Sequence, residues 1–160
     1  MLIFNEEGIQ RALGEKLCLK NICVPNLTMY ATTEREYEAD FVYFNHNKDF
    51  LTEVEIKTNI EDFRNDFKKH RFHDDKHVKY LYYAFSNFQY NLFKDEIEEK
   101  CKSVGAGVIV VSRTTTARMK KTSSYLVTYK KKAKARIGYT PLTDMDKLKI
   151  MRIGCMKWVK

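Results

Sequence analysis

The chain is poor in the residues that punctuate, cross-link or anchor a protein. Of 160 residues only two are proline and six are glycine, which argues against long low-complexity linkers and extended disorder. The four cysteines, Cys18, Cys23, Cys101 and Cys155, form no CxxC pair and match no zinc-site spacing. Reduced thiols in a cytoplasmic protein (the host cytoplasm if phage-encoded) are the simplest expectation. No apolar run approaches the roughly 20 residues needed to span a bilayer, so no membrane role is expected. Acidic residues are nearly missing from the last part of the chain. Residues 101–160 hold 15 Lys and Arg but only 2 Asp and Glu, whereas residues 1–100 hold 14 and 19. The formal net charge of +8 is thus an acidic part followed by a strongly basic one. That arrangement suits a polyanion held near a cation-binding acidic site.

What is present is core material. Hydrophobic residues make up 44% of the chain, with ten Tyr and ten Phe. A domain of this size buries roughly 70% of its unfolded surface. The expectation is a single domain over residues 1–160, with a basic extension from about residue 113.

Periodicity sketches the order of elements. Residues 5–18 read as a helix, with Asn5 as cap and Ile9, Ala12, Leu13 and Leu17 as its apolar stripe. Pro25-Asn26 breaks the pattern. Residues 36–44 and 50–58 read as a β-hairpin around the polar turn Asn45–Asp49. Strict alternation puts Tyr37, Ala39, Phe41 and Tyr43 on one face of its first strand, and Glu36, Glu38, Asp40, Val42 and Phe44 on the other. A helix is expected over 59–72, capped by Asn59, with Ile60, Phe63 and Phe67 inside. A strand at 78–85 and a helix at 89–103, with Leu92, Phe93 and Ile97 inside, should come next. The apolar run 105–112 suits a strand buried on both faces. A strand at 125–130 and a helix at 143–153 complete the order.

The chemistry centres on Asp40, Glu55 and Lys57. Glu55 and Lys57 flank Ile56 on one strand, so they project to the same side, roughly 7 Å apart. The hairpin can bring Asp40 alongside. Two carboxylates aimed at one spot resist ionisation unless a cation lies between them. A hard divalent ion, Mg²⁺ or Mn²⁺, meets that need through Asp40, Glu55 and the Ile56 backbone carbonyl. Such an ion is a Lewis acid towards a phosphoryl oxygen. Lys57 would orient the attacking water and stabilise charge growing on the phosphate. The bare D-x(14)-E-x-K pattern is common among hairpins with alternating charge and carries little weight by itself.

Its neighbours along the chain carry more. Ala39-Asp40, then Val54-Glu55-Ile56-Lys57, then Asp62-Phe63-Arg64 with Asp66, and Tyr83-Ala84-Phe85 at a strand end resemble the MmcB-like DNA repair proteins. These are a compact branch of the PD-(D/E)XK nuclease superfamily. The resemblance covers about residues 34–112, including Gly107 to Val110 as a later buried strand. It departs from the family where Lys69-His70 stands in place of an aromatic. It implies an α/β fold with an αβββαβ nuclease-like core, a mixed central sheet flanked by helices, a divalent metal and a DNA substrate.

Other residues have plainer roles to set against a functional one. Glu15 on the first helix is a further candidate ligand, with a surface position favoured. Glu38 and Glu53 share the catalytic face, with a solvated edge favoured. Asp62 and Asp66 are secondary candidates that could equally cap the helix or pair with a lysine. Arg64 is a candidate phosphate contact. His70, His73 and His77 beside Asp74 and Asp75 have the one-face spacing of a zinc site, but no cysteine lies nearby and their polar surroundings predict a solvated helix end in preference to a metal site. Lys120, Lys121, Lys130, Lys131, Lys132, Lys134 and Arg136 are expected to contact phosphates. Tyr125, Tyr129 and Tyr139 are either stacked on bases or packed in the core. The expected activity is metal-dependent DNA hydrolysis in repair, recombination or mobile-element processing. Cutting both strands would call for a homodimer or two encounters. The alternative is a catalytically silent nuclease fold that binds nucleic acid or a protein partner.

Overall fold

The computed structural model describes residues 4–30, 36–68, 73–114 and 124–159. Helix α1 (Glu6–Leu17) starts where expected: the Asn5 side chain accepts from the Gly8 amide at 2.9 Å. Six strands form one sheet: β1 (Ile22–Tyr30), β2 (Glu36–Phe44), β3 (Leu51–Lys57), β4 (Val78–Ser86), β5 (Gly107–Thr114) and β6 (Ser124–Lys131). They lie in chain order across the sheet. The first three form an antiparallel meander, β3, β4 and β5 run parallel, and β6 turns antiparallel. Helix α2 (Ile60–Asp66) is the crossover between β3 and β4, and α3 (Asn87–Leu92) with α4 (Lys94–Ser103) is the crossover to β5. Helix α5 (Asp144–Trp158) packs on β1.

Helix α1 covers one sheet face, where Ile9 and Leu13 pack with Phe41, Val54, Ile56 and Ile109. Helices α2, α3 and α4 cover the opposite face, where Phe63, Tyr90 and Ile97 pack with Tyr83, Phe85 and Val108. Strand β3 lies between these layers, and all seven of its residues are buried. No helix among the described residues is long and apolar enough to cross a membrane.

Four expectations need correction. Pro25-Asn26 does not end an element; β1 runs through it. It is an edge strand, and an edge tolerates proline because one side needs no ladder partner. The helix expected over 59–72 ends at Asp66 with Phe67 as its C-cap; residues 69–72 lie outside the described set. The single helix expected over 89–103 breaks at Phe93, which leaves Leu92 61% exposed. Strict alternation along β2 also fails. Tyr37 and Ala39 join the cluster of Val42 and Phe44, not that of Phe41.

This slip has a local cause. In β1, Cys23 packs with the α1 layer, while Val24, Leu27 and Met29 pack in the other cluster, so β1 loses its alternation near Asn26. Asn26 takes a φ of 49°, a left-handed conformation that asparagine tolerates better than most residues. The β1–β2 ladder pairs Pro25 with Phe41 and Leu27 with Ala39, and omits Asn26 and Asp40 between them. Both strands are therefore irregular at the same level. Gln10 of α1 fills the gap: its Nε2 donates to the Asp40 carbonyl at 2.9 Å and to Asn26 Oδ1 at 2.8 Å.

Candidate metal centre

Alternation holds along β3, so Glu53, Glu55 and Lys57 share one face, level with Leu81, Tyr83 and Phe85 of the parallel neighbour. That face lies under α2. Glu53 has no exposed surface, Glu55 is 4% exposed and Lys57 8%. Glu53 is not on a solvated edge as expected; the layer above β3 seals it in. Buried charges need partners. Glu53 Oε2 accepts from the Tyr37 hydroxyl at 2.8 Å. Lys57 Nζ lies 2.6 Å from Asp66 Oδ2 and 3.3 Å from Glu55 Oε2. Asp66, one of the secondary candidates, is thus brought into the cluster.

His73 completes it. The sequence suggested a solvated helix end here, yet the His73 side chain is only 9% exposed. Its Nδ1 lies 2.7 Å from Glu53 Oε1 and 3.5 Å from Glu55 Oε1, and its Nε2 lies 3.6 Å from Asp66 Oδ2. The residue sits at a φ of 44°, outside any helix. The one-face helical spacing with His70 and His77 was therefore the wrong frame for it. His77 instead contacts the Thr140 carbonyl, and His70 lies outside the described residues. The ligand atoms of Glu53, Glu55 and His73 all fall within 4.8 Å of one another, a group that could hold a metal ion.

The electrostatics arise from crowding in a dry layer. Desolvation pushes the Glu55 carboxyl up to about 7; the charge of His73 opposes this, and Asp40 and Glu53 add to it. Burial alone would lower the His73 imidazole. Hydrogen bonds to Asp66 and Glu53, with the charges of Glu53 and Glu55, outweigh it and hold the ring up at about 10. Lys57 is likewise opposed by desolvation but raised above its usual value by Glu55 and Asp66. Both cations therefore stay charged near neutral pH.

Asp40 stands at the rim of this cluster. The β2–β3 ladder runs from Tyr43 opposite Thr52 to Phe41 opposite Val54, so Asp40 comes next, level with Glu55. Its Oδ2 accepts from the Ile56 amide at 2.7 Å, replacing the ladder acceptor that β2 no longer supplies. Burial raises its carboxyl and the Ile56 amide bond lowers it. Asp40 lies outside the group of Glu53, Glu55 and His73, although its charge reaches Glu55. The Ile56 amide thus meets Asp40 directly.

The remaining candidates are dispersed. Glu15 is exposed. The first-helix acid that senses the site is Glu6, whose carboxyl is raised by desolvation and by the charges of Asp40 and Glu38. Glu6 also lies in the first turn of α1, where an acid complements the exposed amides. Glu38 is exposed, as favoured. Asp62 is exposed and spent on the cap: its amide donates to Asn59 Oδ1 at 2.8 Å and its carboxylate accepts from Asn59 Nδ2. Arg64 grips Glu96 with a two-pronged contact at 2.8 and 2.7 Å and also meets Glu61, so it ties α2 to α4. Lys130, Lys132 and Lys134 are exposed, and Lys131 pairs with Glu98 at 3.1 Å. Arg136 is half-buried and donates to the His73 carbonyl. Tyr129 bonds Tyr43 and packs edge-on to Tyr82; Tyr139 bonds Asp49, and Tyr125 packs on Phe4. Lys120 and Lys121 lie outside the described residues.

A buried layer of two glutamates, an aspartate, a lysine and a histidine can bind a cation or move protons. The sequence signal for His73 was its place among five His and Asp residues, which helical spacing misdirected. No family model matches the chain, and neither a curated protein nor a solved structure matches it.

Proposed function

We propose that the chain is a metal-dependent DNA nuclease of the PD-(D/E)XK type. The observation that carries this reading is Glu55 Oε1. It is buried and accepts no hydrogen bond among the described residues, although an orphaned buried acceptor costs about 1–3 kcal/mol. Its charged neighbour, His73 Nδ1 at 3.5 Å, makes no hydrogen bond to it, and a divalent cation beside Glu55 would supply the close contact this oxygen lacks. Asp40 and Glu55, with the Ile56 carbonyl, are the residues that would hold Mg²⁺ or Mn²⁺. Bound there, the ion would supply Lewis acidity towards a phosphoryl oxygen. Support also comes from the element order, since α1, the β1–β2–β3 meander, α2 and β4 follow the αβββαβ order of that superfamily.

Lys57 has a defined part in this reaction. Asp66 and Glu55 keep its ammonium protonated, so it donates hydrogen bonds to water and phosphate oxygen and does not abstract a proton. Asp66 fixes where that ammonium points. The exposed lysines after Tyr129 would hold the backbone of DNA. With no module for reading sequence, single-strand or structure-specific cutting is the favoured mode, in repair, recombination or mobile-element processing. A homodimer would be needed to cut both strands at once.

One observation favours a catalytically silent, DNA-holding protein: Lys57 and His73 already offset much of the acid charge. Incubation with single-stranded, nicked and duplex DNA in Mg²⁺, in Mn²⁺ and in EDTA separates the two. Cutting that needs the metal and is lost in Glu55→Gln and Lys57→Ala supports the nuclease. Salt-sensitive binding without cutting in any arm supports the silent protein.

A further inference from the structure

We propose that Glu53, Glu55 and His73 form a carboxylate–carboxylate–imidazole site that takes a first-row transition ion in preference to Mg²⁺. The proposal deepens the nuclease reading only in that both use Glu55; it adds Glu53 and His73 as ligands and changes which ion is favoured.

The donors set the preference. Mg²⁺ favours oxygen ligands and retains several waters. An imidazole nitrogen shifts preference towards Mn²⁺, Fe²⁺ and Zn²⁺. Glu53 Oε1, Glu55 Oε1 and His73 Nδ1 converge in a layer with almost no solvent access. Glu55 Oε1 faces that point with no hydrogen bond of its own among the described residues.

The surroundings are those of oriented ligands. Histidines that bind metals usually turn their second ring nitrogen to a carboxylate, which fixes the ring. Here Nδ1 faces the two glutamates and Nε2 faces Asp66; an ion coordinated at Nδ1 would displace the proton that Nδ1 shares with Glu53 in the metal-free protein, while Nε2 keeps its own. Tyr37 holds the other oxygen of Glu53 at 2.8 Å. His73 itself occupies a left-handed backbone conformation, which a residue with a Cβ adopts only when its surroundings impose it. Arg136 supplies part of that restraint by donating to the His73 carbonyl from the chain beyond β6.

Metal binding without DNA tests the site. Titration of the full chain should show Mn²⁺ binding at least about tenfold tighter than Mg²⁺, and Zn²⁺ tighter still. Pulsed electron paramagnetic resonance of bound Mn²⁺ should show modulation from a coordinated ¹⁴N. In His73→Ala that modulation should vanish and the Mn²⁺ preference should shrink to about threefold or less; Glu53→Gln should weaken Mn²⁺ binding about tenfold or more. The wild-type nitrogen signal remains decisive even where a variant fails to fold. Bound Mn²⁺ with no nitrogen modulation, or no ion bound at all, overturns the site. DNA cleavage is read separately. Nitrogen-coordinated Mn²⁺ in a protein that never cuts DNA keeps the site and removes the nuclease reading. Mg²⁺-dependent cutting that requires Asp40 but shows no nitrogen ligand does the reverse.

Discussion

Lys57 Nζ lies 2.6 Å from Asp66 Oδ2, joining the central strand of the sheet to the last residue of α2. Both groups are buried, and removing one member of a buried pair leaves the other charged and desolvated. Asp66→Ala should destabilise the fold by about 3–5 kcal/mol, with Asp66→Asn milder. Urea unfolding checks this, and a loss below about 1 kcal/mol would show that Lys57 finds other partners.

Glu55 behaves in the opposite sense. Its carboxyl is raised to about 7, chiefly by desolvation, so above that pH the folded state carries an unfavourable buried charge. Glu55→Gln should raise the stability of the metal-free protein at pH 8 by about 1–3 kcal/mol while abolishing any metal-dependent cutting. Residues kept for function at the expense of stability give this signature. A destabilised variant at pH 8 would contradict it.

The metal-free protein should grow less stable as pH rises from 5 to 9. His73 is raised from 6.5 to about 10, so its contribution is complete below pH 6.5 and is lost as pH climbs through 10. Glu55, raised from 4.5 to about 7, acts in the same sense at lower pH, losing its contribution as pH rises through 7. The lowered carboxyls of Glu96, Glu98 and Asp146 act oppositely, but only below their unfolded values, under about pH 4.5. Chemical denaturation across this range measures the slope. His73→Asn should flatten the part above pH 6.5, and an unchanged slope would assign the titration elsewhere.

Salt dependence should separate the two classes of basic residue. Arg64 is engaged by Glu96 and Glu61, so Arg64→Ala should leave the salt slope of DNA binding nearly unchanged. Lys130, Lys132 and Lys134 are exposed. Replacing all three with Ala should lower the slope of log K against log salt by about 2–3, since each phosphate contact contributes about 0.9. A larger effect from Arg64 than from the triple variant would reverse this assignment.

Gly107 tests the packing of β5. A Cβ at this position would lie 2.3 Å from Tyr82 Cε1 and 2.6 Å from the Ala133 backbone nitrogen. Ring and backbone cannot both retreat in a packed sheet. Gly107→Ala should cost about 1–3 kcal/mol, readable as a lowered thermal midpoint. No change would mean that the segment after β6 moves freely.

Much of the architecture was legible from pattern. Asn5 and Asn59 announced the starts of α1 and α2, because a cap acts within three residues of its own position. The apolar run at 107–111 announced a strand buried on both faces. Alternation placed Glu53, Glu55 and Lys57 on one face, because the two-residue period of an uninterrupted strand depends only on local backbone geometry. The same rule failed along β2, where the irregularity paired with Asn26 depends on a neighbouring strand that Pro25 had concealed.

The sequence by itself thus determined α1, the β2–β3 hairpin and most of the elements after it, the charge division and the acid–lysine face of β3, all of which depend on neighbours a few residues apart. Only the tertiary structure decided what meets that face. Asp66 arrives from the end of α2, Tyr37 from beyond the slip in β2, and His73 from a left-handed turn held by Arg136, 63 residues further along the chain. These approaches are set by helix docking and by one buried layer's demand that each charge find a partner. No periodicity along the chain encodes that demand.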